Sequence, residues 1–372
     1  MPVEFLGMGG TNPASEVTAR SGPSLDLEYT SRLARAHEDN GWDRILFAYH
    51  SGSPDPAQVA AYVAGRTERI NLVVAHRPNV AYPTLTAKTF ATLDRISGGR
   101  FEVHVITGGS TADQAAEGDF LDKDSRYTRT REFIQILKQA WTATEPFDFI
   151  GEHYRFEKFL ADVFPVQQPR PRISFGGSSA AAYAVGAAEA DIFALWGEPL
   201  AGTKEQLASI ERAAAHAGRQ DRPQIQIAFR PIIAPTEELA WAKADSILGR
   251  IAAGGSSARG RLRQTGGTPE NSGSQRLLAA VAAGERHDRA LWTAPTALTG
   301  GGGNSTALVG TPETVAAALL DYYDLGVRQF SARGYDILDD AIDFGRYVIP
   351  LVRDEVARRD AERSAAAADS AA

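Results

Sequence analysis

The sequence predicts an α/β protein folded as one eight-stranded parallel (β/α)8 barrel of the TIM type, and three observations predict it. Short β-rich runs alternate with longer helical patterns from one end of the chain to the other. The runs number eight. The two longest irregular stretches each follow a strand, where such a barrel carries its functional insertions.

The strands are expected at Val3–Met8, Asp43–Phe47, Ile70–His76, Phe101–Ile106, Ile173–Phe175, Asp191–Leu195, Ile225–Ile233 and Val327–Arg333. Between them, Pro83–Ser97 carries Ala87, Phe90, Leu93 and Ile96 as one apolar stripe and stops at Gly98-Gly99. Ser125–Ala143 repeats the pattern with Phe133, Leu137, Ala140 and Trp141. A third helix has Thr311 as N-cap, Pro312 as first residue and Gly326 past its end. The insertions are expected at residues 107–124, after the fourth strand, and 252–305, after the seventh. The second is rich in Gly and Ser and reads as a mobile lid. Residues 1–355 then form a single barrel, and residues 356–372, which lose apolar periodicity, a flexible tail that is dispensable for chemistry.

A chain of 372 residues with 43% hydrophobic and 23% charged residues can bury one large core. A net charge of -7 gives no electrostatic footprint for nucleic acid or an anionic membrane, so a small molecule is the expected partner. Cysteine is absent, which excludes disulfides, thiolate metal sites and cysteine nucleophiles. The N-terminus lacks a basic segment followed by an apolar one, and no stretch is apolar for the roughly 20 residues that span a bilayer. A cytoplasmic protein is expected.

Phe175-Gly176-Gly177-Ser178-Ser179 runs from a strand into an Ala-rich helix. Glycine lets the backbone approach an anion while the first helical amides and the hydroxyls point at it, the chemistry of a phosphate cradle. Ser178 as a simple N-cap is the other reading. His50, His76 and His104 fall on or just past the ends of the second, third and fourth strands, either facing one mouth or as satisfied buried imidazoles. Arg77, Arg230 and Arg333 also lie near strand ends, where a guanidinium needs an anion or a carboxylate. Tyr49, Trp196, Tyr335 and Trp292 could pack on a flat ring or fill the core. The first strand has no His-x-His pair, so no metal site is expected. There is no Gly-x-Ser-x-Gly elbow and no P-loop.

The runs HRPNVAYPTLTAKTFATLDRISGGRFEVHVITGG (76–109), FGGSSAAAYAVGAAEADIFALWGEP (175–199), TALVGTPETV (306–315) and RGYDILDDAIDFGRYVIPLV (333–352) resemble the bacterial luciferase-like flavin monooxygenases, and among them the alkanesulfonate monooxygenases. The resemblance implies a two-component system. A separate NAD(P)H:FMN reductase supplies reduced FMN (FMNH2), O2 is the co-substrate, and an organosulfur compound, an organosulfonate or sulfone, yields sulfite and an aldehyde; the enzyme itself assembles as a homodimer or homotetramer.

By the same resemblance Ser178, Ser179, Arg126 and Tyr127 hold the FMN phosphate, beside Gly176 and Gly177 of the cradle, with Thr107 and Gly108 along the flavin; His104, at a place where those relatives lack a histidine, is expected beside them. Arg230, Tyr335 and Trp196 match active-site positions and, with His50, where those relatives lack a histidine, are the expected catalytic set; Arg333, Ser53, His76 and Arg77 are expected on the substrate side. This chain departs from the pattern in four places: Ile232 and Ile337 stand where those relatives have histidines, Ser53 where they have a cysteine, and TGGGGNS offers no lid arginine. Arg333 is the expected replacement for that arginine in anion binding. The departures count against linear alkanesulfonates. The alternative function is hydride transfer from the deazaflavin F420, a cofactor that the resemblance also admits.

Overall fold

The computed structural model describes residues 3–254 and 269–371. Eight strands close a ring: β1 (Glu4–Met8), β2 (Arg44–Phe47), β3 (Asn71–His76), β4 (Phe101–Val105), β5 (Arg172–Gly176), β6 (Ile192–Trp196), β7 (Gln224–Ile233) and β8 (Val327–Ala332). Each pairs in parallel with the next, and β8 returns to β1 through Glu4↔Gln329 and Leu6↔Ser331. These are the eight expected strands, each end within one residue of expectation.

Alternation along the strands builds two environments. Phe5, Ile45, Leu72, Val74, Phe101, Val103, Phe175 and Ile227 face outward and are buried under the helical layer with Phe90, Phe133 and Leu137. Each such side chain contributes roughly 1.5–3 kcal/mol on burial. The inward positions at the N-terminal end are polar. Arg44 is buried there, with Nη1 at 2.9 Å from Glu102 Oε1 and Nη2 at 3.1 Å from Gln226 Oε1. Arg172 bridges Glu4 and Glu102 at 3.0 and 3.2 Å. This ion-pair layer plugs the bottom of the barrel and leaves the other end for chemistry.

The helix signals are realised with small shifts. Pro83–Ile96 and Pro312–Asp324 begin on proline as expected, and Thr311 Oγ1 caps Thr314 N at 3.2 Å. The helix expected from Ser125 starts at Lys123, because Asp122 accepts from Ser125 N at 2.9 Å and takes the N-cap itself. Outside the ring, Phe147–Ile150 and Arg155–Phe159 form an antiparallel hairpin.

Of the expected lid, residues 255–268 lie outside the described residues. Residues 269–305 are folded onto the barrel: Ala307–Gly310 pairs in parallel with the end of β7, and Leu291–Trp292 then Arg286–His287 extend that sheet. Trp292, expected at the mouth, is instead buried in a satellite core with Ile232, Ala244, Ile247 and Tyr335, its Nε1 donating to Glu285 Oε1 at 3.0 Å. The expected tail is helical within Ile349–Ala371, and its start is docked by buried Val356 and by Arg359 on Asp324 at 2.7 Å. No helix among the described residues is long and apolar enough to cross a membrane.

Candidate active site

At the end of β5, Gly176 presses on the neighbouring strand: a Cβ there would sit 2.9 Å from Ala194 O. Gly177 has φ +153° and faces Ala182, whose Cβ would lie 2.6 Å from an added Cβ. Only glycine fits this approach of backbone to helix. Ser179, rather than Ser178, is the N-cap of the Ala180–Glu189 helix, with Oγ 3.2 Å from Ala182 N. Half-buried Ser178 sits between that cap and Gly177. The Tyr127 hydroxyl closes the corner, 3.4 Å from Ser179 Oγ and 3.5 Å from the Cβ position of Gly177.

Arg126 precedes Tyr127 in the first turn of the Lys123–Thr142 helix and is buried. Its Nη1 donates to Leu121 O at 3.1 Å, its Nε has no partner, and it makes no ion pair among the described residues. Asp119, Asp122 and Glu270 feel its charge without pairing with it directly, and an anion at this corner would supply the direct partner that a buried guanidinium favours. Arg126, Tyr127, two glycines and two hydroxyls therefore fit a phosphate group.

Two strands round the ring from that corner, β7 carries Arg230. Its Nε donates to Asn304 O at 3.0 Å, its Nη1 to the Arg333 and Gly334 carbonyls at 3.2 and 3.0 Å, and its Nη2 to Glu16 Oε1 at 2.6 Å. Arg333, just past β8, grips both oxygens of the same carboxylate at 3.0 Å. The Arg230 guanidinium lies 4.9 Å from the centre of the Tyr335 ring. Burial pushes the Tyr335 hydroxyl up to about 12, against the opposing pull of Arg230, so it keeps its proton at neutral pH. Trp196, the last residue of β6, supports Gly273 of the Ser272–Ala283 helix, where a Cβ would lie 2.7 Å from the indole.

Within the barrel, His104 projects from β4 and its Nδ1 lies 2.9 Å from Ser174 Oγ. Burial, then the nearby Arg44 charge, lowers it to about 4, so it is neutral at neutral pH. The two insertions meet over this space: Glu270 Oε2 accepts from Thr111 N and Oγ1 at 3.1 and 2.8 Å. Thr107 is buried with its Oγ1 at 3.3 Å from Thr130 Oγ1, and Gly108 has φ +97° with Gln114 packed where a side chain would point.

Other expected residues sit elsewhere. His76 turns outward into the helical layer, 5.4 Å from Phe133 and 5.1 Å from Phe90 between ring centres, and burial lowers it to about 3. Arg77 is held by the first insertion, through Asp113 and Glu117, the latter at 2.9 Å, and the Tyr49 hydroxyl joins Glu117. His50 is exposed in a turn closed by Ser53, whose Oγ donates to His50 O at 2.9 Å. Ile232 and Ile337 are both buried against apolar neighbours. Glu16, the residue that joins Arg230 to Arg333, was not expected at all.

A closed parallel barrel with a phosphate-fitting corner and an arginine–tyrosine wall at its C-terminal mouth defines a (β/α)8 barrel enzyme. The profile of the luciferase-like monooxygenase family matches residues 8–329, and the chain belongs to that family of flavin-dependent monooxygenases. Among solved structures it is similar to riboflavin lyase (RcaE) with modified FMN and riboflavin, at 22% identity and a TM-score of 0.77, covering 95% of this chain and 92% of that one. It is similar to EDTA monooxygenase (EmoA) from Chelativorans sp. BNC1 at 18% identity, TM-score 0.75, covering 95% and 94%. An F420-dependent secondary alcohol dehydrogenase shares 16% identity at a TM-score of 0.69, covering 95% and 100%. At such identities these three establish the common barrel alone.

Proposed function

We propose that the chain is the oxygenase of a two-component system, using reduced FMN and O2 to oxidise an organosulfur compound, a sulfonate or a sulfone. The observation that carries the flavin half is Arg126: a buried guanidinium with an unpartnered Nε, beside a glycine–serine corner that fits a phosphate. Gly176, Gly177, Ser178, Ser179, Arg126 and Tyr127 hold that phosphate, and Thr107, Gly108 and His104 line the flavin. Reduced FMN, when bound, would supply the two electrons that take one oxygen of O2 to water while the other enters the substrate.

The remaining residues shape the other side of the mouth. Tyr335 offers a protonated hydroxyl, Arg230 a fixed positive charge against developing negative charge, and Trp196 a flat apolar wall. Arg77 holds the first insertion in place, and His76 supports the end of β3 from the helical side. His50 and Ser53 stand at the outer rim with Arg333 on the substrate side. A separate NAD(P)H:FMN reductase delivers the cofactor, and a homodimer or homotetramer is the working assembly. Residues 1–355 carry the activity and the remainder of the last helix does not.

A coupled assay tests this. Purified protein, a generic flavin reductase, NADH and FMN are mixed in air with alkyl, sugar and aromatic sulfonates and with sulfones, and the product is measured: sulfite from a sulfonate, a sulfinate from a sulfone. Release of sulfite or sulfinate with equimolar consumption of O2 supports the reading. Tight binding of F420 with no binding of FMN would replace it with hydride transfer.

A further inference from the structure

We propose that Glu16 is a specificity-determining residue: its carboxylate fills, from within the chain, the slot between Arg230 and Arg333 that an anionic headgroup would take, and so turns the mouth toward uncharged organosulfur substrates. The inference rests on the reading above and narrows its substrate class from sulfonate or sulfone to the uncharged member.

Three observations carry it. Arg230 spends its donors inside the protein, on the carbonyls of Asn304, Arg333 and Gly334 and on Glu16 Oε1. Arg333 Nη1 reaches both Glu16 oxygens at 3.0 Å, so one carboxylate bridges two guanidinium groups, as a sulfonate would. The pairs are enclosed: the Arg230, Arg333 and Glu16 side chains keep 5%, 15% and 12% of their surface in water.

Glu16 is also held in place by its own loop. Ser15 Oγ accepts from Val17 N and Thr18 N, both at 3.2 Å, and Ser15 N donates to Thr18 O at 2.9 Å. Val17 packs against the satellite core while its carbonyl accepts from Arg250 Nη2 at 3.3 Å. The turn therefore presents Glu16 to the two arginines from both flanks. A sulfonate entering that slot must expel a tethered carboxylate and leave it near the incoming charge, a repulsive element of the kind that sets specificity. A sulfone or sulfide brings no charge. It needs no free guanidinium.

Full-length protein without flavin is titrated with methanesulfonate in a calorimeter, as wild type, Glu16→Gln and Glu16→Asp. Wild type and Glu16→Asp are expected to bind it weakly, and Glu16→Gln roughly tenfold or more tightly. Equal affinity in wild type and Glu16→Gln overturns the proposal. Should Glu16→Gln fold poorly, wild type alone decides: dimethyl sulfone is expected to raise its melting temperature and methanesulfonate not to, and a rise with methanesulfonate overturns the proposal. The titration needs no turnover. A gain in Glu16→Gln alongside an oxygenase that releases neither sulfite nor sulfinate would therefore retain the charge filter and discard the organosulfur assignment.

Discussion

Arg44 and Glu102 meet at 2.9 Å on the floor of the barrel, both buried, with Arg172 adding a second guanidinium to the same carboxylate at 3.2 Å. Removing one partner of such a pair strands the other charge in a low-dielectric interior. Glu102→Gln is expected to cost about 3–5 kcal/mol of unfolding free energy, read from denaturant midpoints. Flavin affinity should change little, because the pair lies at the end of the barrel away from Arg126. A variant as stable as wild type would show that the floor does not depend on this charge.

The phosphate corner makes a sharper prediction. Arg126→Ala should weaken FMN binding by tenfold or more in a fluorescence titration, a loss of about 1.4 kcal/mol or greater, as for a charge-assisted contact. Riboflavin has the same ring system without the phosphate, so its affinity should be unchanged. Equal losses for both ligands would mean that Arg126 supports the ring or the fold. Gly177→Ala should act on the same readout, since its Cβ would meet Ala182 at 2.6 Å in a backbone conformation at φ +153°.

Acid should destabilise the protein before its carboxylates titrate. His37 is buried with Nδ1 2.8 Å from Leu33 O, and burial lowers it from 6.5 to about 4. His76 and His104 are lowered to about 3 and about 4, again by burial first. Each is neutral in the fold and takes up a proton more readily when unfolded. Their stabilisation is therefore complete above pH 6.5 and is lost as pH falls toward 4, on the order of 3 kcal/mol for His37. Melting temperatures should fall steeply between pH 6.5 and 4 in wild type and less steeply in His37→Gln. Parallel slopes would remove His37 from this account.

How much of this was legible in the sequence follows from the range of each interaction. The strands of the ring are short apolar or alternating runs, a local signal, and all eight were found. The glycine–serine corner is equally local. Glu16 was missed because its partners stand 214 and 317 positions away and nothing beside it marks a lone acid in a loop. Arg77 and Arg333 were legible as arginines needing an anion, but not the anions themselves, which come from Asp113, Glu117 and Glu16. The hairpin at residues 147–159 was passed over because it belongs to no β/α unit. Residues 269–305 read as loose from their Gly and Ser content, yet Leu291–Trp292 pairs with Ala307–Gly310, the strand laid along β7, an order that composition does not signal.

Arg230 offers the strictest test of the mouth. Lysine keeps the charge but replaces a planar fork of five donors with one ammonium, which cannot reach Asn304 O, the Arg333 and Gly334 carbonyls and Glu16 together. The carbonyls released would be those that hold the loops after β7 and β8 around Tyr335. Arg230→Lys is therefore expected to lower kcat for oxygenation tenfold or more, while FMN affinity at the β5 corner stays within about twofold. Arg230→Ala should lose as much kcat and also destabilise the fold, because buried Glu16 would then lose its 2.6 Å guanidinium partner. If lysine retains full kcat, positive charge at this position suffices and the carbonyl network around it is structural.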